Sequence, residues 1–208
     1  MRSHIAAVDD GGLAVMSTAT RWGGLALFIG SIMVGAAVIG ILVSQRQPVG
    51  TGIQYAAWVA WLLAVGAVLT MLALPHMYAV QANQSGTLGT VGFALLQGGW
   101  VLALVFAIAP LVYRGLPSEP GESVATLTLG TMLSAGFVLT SVATIRAGVF
   151  PAWIGYVLLA AAAGFIFLFF VAEFLPTSAS RVGGLVFGSF VAVGWAAMGM
   201  HMWMGSNR

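Results

Sequence analysis

The stretch VGGLVFGSFVAVGWAAMGMHMWM, residues 182–204, carries no charged side chain. At 1.5 Å of rise per residue it is long enough to cross the ~30 Å hydrocarbon layer of a bilayer as a helix. Gly184 and Gly188 lie four residues apart near its start, which puts two positions without side chains on one helix face. Another helix can approach closely there. Near its end His201 stands among Met198, Met200, Met202 and Met204. Reading this stretch as a membrane span decides the fold class, because the rest of the chain repeats it.

Five further apolar runs cover about 23–44, 53–78, 88–112, 124–144 and 153–175, separated by short polar segments. They predict an all-α polytopic membrane protein with six transmembrane helices in one bundle over 21–205. Residues 1–20 read as a disordered N-terminal tail, with Met16 as an alternative start to Met1. The composition agrees: of 208 residues 60% are hydrophobic and 6% charged, against about a quarter charged in soluble domains. Mean hydropathy is +1.03. The lipid bilayer is therefore the first partner the sequence implies, and no separate soluble domain fits.

Aromatic positions test the six-run layout, since Trp and Tyr favour the headgroup level. With six spans, Trp22, Tyr78, Trp153, Tyr156 and Trp203 fall on the face that carries the termini, and Tyr55, Trp58, Trp61 and Tyr113 on the other. Trp100 and Trp195 lie deep. Small residues recur within the runs, as in Ser31-xxx-Gly35 of the first, which again suits close helix packing.

Absences remove whole classes of chemistry. The chain has no cysteine, and its seven basic residues are all arginine, so it has no lysine either. Disulfides, thiol catalysis, iron–sulfur ligation and covalent c-type haem attachment are excluded, as is any lysine Schiff base. The net charge of +2 is spread along the chain and makes no nucleic-acid surface. Arg2, Arg21, Arg146 and Arg208 on the terminal face outnumber Arg46, Arg114 and Arg181 opposite, which points to cytoplasmic termini.

The run Leu74-Pro-His-Met-Tyr78, then Leu88-Gly89, and later Arg146-Ala-Gly-Val-Phe-Pro151-Ala-Trp153, resembles small bacterial multi-spanning membrane proteins of the domain-of-unknown-function type. The resemblance covers most of the chain from Trp22 onward. It implies the same six-helix architecture and a bacterial or archaeal cytoplasmic membrane, and it transfers no activity and no functional residue.

Glu173 is the only acid inside an apolar run, and an ionisable residue within a membrane is a candidate for function. It sits three residues before Pro176, roughly 5 Å from the helix end, where snorkelling removes most of the cost of burying charge. The interfacial reading is therefore preferred over a proton or cation role. Gln97 is the most central strongly polar side chain. An interhelical hydrogen bond of about 0.6 to 2 kcal/mol, with Ser134 as the expected partner, is its ordinary explanation; contact with a transported solute is the alternative.

His76 and His201 come near the same face from two different spans. Two such imidazoles could ligate b-type haem, and Met71, Met77, Met198 and Met202 would suit copper(I). A hydrogen-bonded interfacial role for each is preferred, because Pro75 should distort the helix at His76 and the last turn around His201 should fray. No cofactor and no metal site is expected on this reading. The function expected is that of an integral membrane protein without catalysis of its own, an accessory or scaffolding subunit packed against other membrane chains or against itself. The alternatives are a small transporter or channel using Glu173 and Gln97, and an electron carrier using His76 and His201.

Overall fold

The computed structural model describes residues 10–44, 57–112, 124–167, 170 and 177–205. Over these the protein is helical: α1 Asp10–Ser44, α2 Ala57–Val112, α3 Val124–Ala147, α4 Ala152–Ile166 and α5 Thr177–Gly205. Past Ile166 the backbone widens into π-type turns at Phe167 and Phe170. Helix is the form expected of so apolar a chain, because lipid satisfies no backbone N–H or C=O and a helix satisfies its own. Four helical runs are long and apolar enough to cross a membrane: Thr18–Ile41, Ala57–Ile108, Leu127–Ala147 and Val182–Gly205; Ala152–Ile166 is apolar but shorter.

The longest helix is not straight. At Gly86 the backbone leaves the helical region (φ 56, ψ −153). Tyr78 Oη lies 2.7 Å from Thr90 Oγ1, although twelve residues of straight helix would separate them by about 18 Å. The Tyr78 and Phe93 rings stack at 5.0 Å, and Gln97 reaches Met71. The chain therefore reverses at Gly86, and α2 is a hairpin with one arm over 57–85 and another over 87–112. The reversal falls inside the short polar segment at 81–87, between the second and third apolar runs, and that segment is itself helical up to the turn.

Neighbouring arms run antiparallel throughout. Gly30 of α1 faces Thr70 and Gly40 faces Trp58; Gly92 of α2 faces Thr140 of α3 and Gly99 faces Leu133. Gly155 of α4 lies against the Ser141 carbonyl, while Phe137 stacks on Phe165 at 5.5 Å. Gly164 of α4 meets Phe187 of α5, and Gly194 meets Leu158. Finally α5 returns to α1, with Gly199 on Gly24 and Gly188 on Val38. Each helix thus packs on its neighbours in sequence and the last closes on the first.

Two expectations of local structure change. Helix α1 is already formed at Asp10, inside the stretch read as a disordered tail. Helix α5 stays helical to Gly205 rather than fraying at His201.

The two indoles placed deep by the sequence are the buried ones: Trp195 is fully enclosed and Trp100 is 3% exposed. Their ring centroids are 5.5 Å apart. Phe137 stacks on Trp195 at 5.1 Å, and the Phe165 ring stands edge-on to Phe187 at 4.0 Å. This aromatic column fills the middle of the ring. Large apolar side chains such as Leu72, Val105 and Val193 point outward instead, each more than half exposed.

Candidate functional site

Gln97 lies near the middle of the second arm of α2, and its partner is not the expected one. Its Nε2 donates to the carbonyl of Met71, 3.5 Å away on the first arm. That carbonyl is free for a reason written in the sequence: its helical donor would be the N–H of residue 75, and Pro75 has none. A glutamine from the adjacent arm supplies the missing donor inside an environment that offers no other. Ser134, the expected partner, is buried, and its Oγ has no hydrogen-bond partner among the described residues.

Gln81 is a site residue that the sequence reading missed. It belongs to the short polar segment between the second and third apolar runs, yet it is 1% exposed. Thr144 of α3 donates from Oγ1 to its Oε1 at 3.1 Å. The available signal was the placement of Thr140, Ser141 and Thr144 along one stretch of α3, three hydroxyls needing partners away from water. Ser141 bonds back to the Phe137 carbonyl at 2.5 Å, as hydroxyls in membrane helices do.

Several buried polar atoms are left without a partner among the described residues: Gln97 Oε1, Trp100 Nε1, Ser134 Oγ, Trp195 Nε1, Thr70 Oγ1, Thr140 Oγ1 and Ser85 Oγ. The first four belong to the middle of the bundle, next to the aromatic column. Thr140 and Ser85 lie farther along the same α2–α3 seam, toward the end of the bundle that carries Tyr78, against Gly92 and Gly89 respectively.

The two histidines of the bundle have different surroundings. His76 is half-buried, with its Cβ against Gly23 of α1. His201 is exposed and lies edge-on to Phe150 at 5.6 Å. Among the described residues no group of three or more His, Cys, Asp or Glu side chains comes together. At the same end of the bundle Trp22 meets Trp203 edge-on at 6.1 Å, and the Arg21 guanidinium sits 5.7 Å above the Trp203 ring. Such a cation–π contact holds an arginine at the headgroup level, where the indole also belongs.

The packing residues are placed as follows. Ser31 is fully buried and donates to the Phe28 carbonyl at 2.8 Å. Gly35 faces Ala192 and the Gly188 carbonyl, and Gly188 faces Val38, so this small pair joins α5 to α1 within the chain. Gly184 is buried in α5. Closer still is a contact the sequence reading did not single out: a Cβ on Gly24 would lie 2.6 Å from the Gly199 carbonyl oxygen. Glu173 lies outside the described residues.

One open groove, of about 660 Å³, runs between α4 and α5 and is lined by Ala160, Ala163, Gly164, Phe167, Val182, Gly183 and Val186. Among the described residues its walls offer no polar side chain, so they suit lipid or an apolar helix. Comparison of the chain with protein-family models, with curated proteins and with solved structures finds no match in any of the three.

Proposed function

We propose that the chain crosses the bilayer six times, with both chain termini on the cytoplasmic face, and works as an accessory or scaffolding subunit of a membrane assembly. One observation carries this reading: six antiparallel arms close into a ring whose middle is filled by Trp100, Phe137, Phe165 and Trp195, while the outer surface is apolar. A filled interior leaves the outside as the working surface. In lipid such a surface associates by van der Waals packing, to other membrane chains or to a second copy. The Ala152–Ile166 helix gains length for a fifth crossing from its π-type continuation at Phe167 and Phe170.

Two measurements test this. Reporter fusions at Arg208 and at Ser118 are expected on opposite sides of the membrane, with Arg208 cytoplasmic; the same side for both overturns six crossings. Purification in mild detergent is expected to give colourless protein with copurifying membrane chains or a defined homo-oligomer. A stoichiometric Soret band lost in both His76→Ala and His201→Ala replaces this reading with that of a haem-binding electron carrier. A second reading, a small transporter, draws on the unpaired polar atoms at mid-depth.

A further inference from the structure

Side chains from three helices lie in or within a turn of the aromatic column at the middle of the bundle, and each carries a polar atom without a hydrogen-bond partner among the described residues. From α2 come Gln97 and, one turn later, Trp100; from α3 comes Ser134, one turn before Phe137; from α5 comes Trp195. The stacking of Phe137 on Trp195 and the 5.5 Å approach of Trp195 to Trp100 bring the two indoles together, with Gln97 and Ser134 one turn away along α2 and α3. Trp195 is fully buried, Trp100 is 3% exposed and Ser134 5%. Gln97 Oε1, both indole Nε1 atoms and Ser134 Oγ lack hydrogen-bond partners among the described residues.

The chemistry of this set limits what it binds. An indole N–H only donates, so each tryptophan requires an acceptor, and the amide oxygen of Gln97 requires a donor. Serine can do either. A molecule that accepts from the indoles and donates to Gln97 closes the set. Gln97, Trp100 and Ser134 lie roughly 15 to 18 Å from the nearer end of their helical arms, and polar groups at that depth are costly unless paired.

Charge is unsuited to the place. The charged and imidazole side chains that the structure describes, Arg21, Arg146, His76 and His201, belong to the end of the bundle that carries Trp22 and Trp203, so none of them supplies a counter-charge to an ion in the middle. The walls are close: Gly98 and Gly99 are covered by Met132 and Leu133. We propose that Gln97, Trp100, Ser134 and Trp195 form a mid-bundle site for a small uncharged molecule that both accepts and donates hydrogen bonds, of the size of water and occupied by water in the resting protein. Thr140 and Ser85 carry further hydroxyls without a partner among the described residues, along the close-packed α2–α3 seam toward the end of the bundle that carries Tyr78. The site stands whether or not the protein is an accessory subunit.

The test uses the full chain in lipid nanodiscs with its tryptophans labelled with 15N at the indole. Trp100→Phe and Trp195→Phe each delete one indole signal and so assign it. Both signals are expected at hydrogen-bonded shifts with cross-peaks to water, and Ser134→Ala, which keeps both indoles, is expected to move them and weaken those cross-peaks. Cross-peaks to a bound proton other than water's support the site and identify its occupant. Signals at unbonded shifts, with no cross-peak and no response to Ser134→Ala, overturn the proposal. Should either Phe variant not fold, assignment by a 15N,13C-labelled chain replaces it and the same two outcomes decide.

Discussion

Gln97 donates to the carbonyl of Met71, which Pro75 leaves without its helical amide. A proline in one arm of the hairpin and a glutamine in the other are thus two halves of one hydrogen-bonding arrangement. At 3.5 Å the bond is long, and its value lies less in its own strength than in sparing a carbonyl from standing unpaired in lipid.

A double-mutant cycle measures this. Gln97→Leu is expected to destabilise the protein by about 1 kcal/mol in denaturant titration. In a Pro75→Ala background the Met71 carbonyl regains an amide from residue 75, and the same substitution is expected to cost less than half as much. Equal costs in the two backgrounds would show that the Met71 contact contributes nothing.

Thr144→Val removes the donor to Gln81 and leaves a buried amide oxygen unpaired. A loss of about 1 to 3 kcal/mol is expected, with Thr144→Ser recovering most of it because the hydroxyl is retained. Failure of the serine variant to recover stability would assign the loss to the missing methyl packing instead.

Gly199 and Gly24 bring two backbones together: a Cβ on Gly199 would stand 2.5 Å from the Gly24 carbonyl oxygen and 2.7 Å from the Phe28 nitrogen. Backbone cannot rotate away as a side chain can, so Gly199→Ala is expected to cost about 1 to 3 kcal/mol through forced separation of α5 from α1. Gly98→Ala meets only the terminal methyl of Met132 and is expected to cost much less. Thermal unfolding of the two variants side by side checks the order.

Gly86 is a purely conformational case. Nothing lies within 4 Å of where its Cβ would be, yet its φ of 56 and ψ of −153 belong to a region that other residues rarely enter. Gly86→Ala is therefore expected to destabilise by about 1 to 3 kcal/mol with no steric clash. Gly148 has φ 63 at the α3–α4 turn, also in open space. Asparagine tolerates the left-handed conformation, so Gly148→Asn is expected to be milder than Gly86→Asn.

Helix and membrane were legible from the residues alone, because hydropathy sums locally and a span in lipid must satisfy its own backbone bonds whatever packs against it. The depth of Trp100 and Trp195 was legible for the same reason, since position along a span is only a count of residues. The hairpin could be placed within 81–87 from its polar composition, but not the inward turn of Gln81, which depends on a threonine in another helix. A span through Pro75 was legible too, but not its consequence, that a glutamine from the facing arm supplies the donor its ring removes. Closure of α5 onto α1, the meeting of Gly24 with Gly199 and the gathering of unpaired polar atoms around two indoles were decided only by tertiary structure. Each is a distance between residues far apart in the chain, set by how helix faces fit together, and no periodicity within a single helix encodes which distant face it will meet.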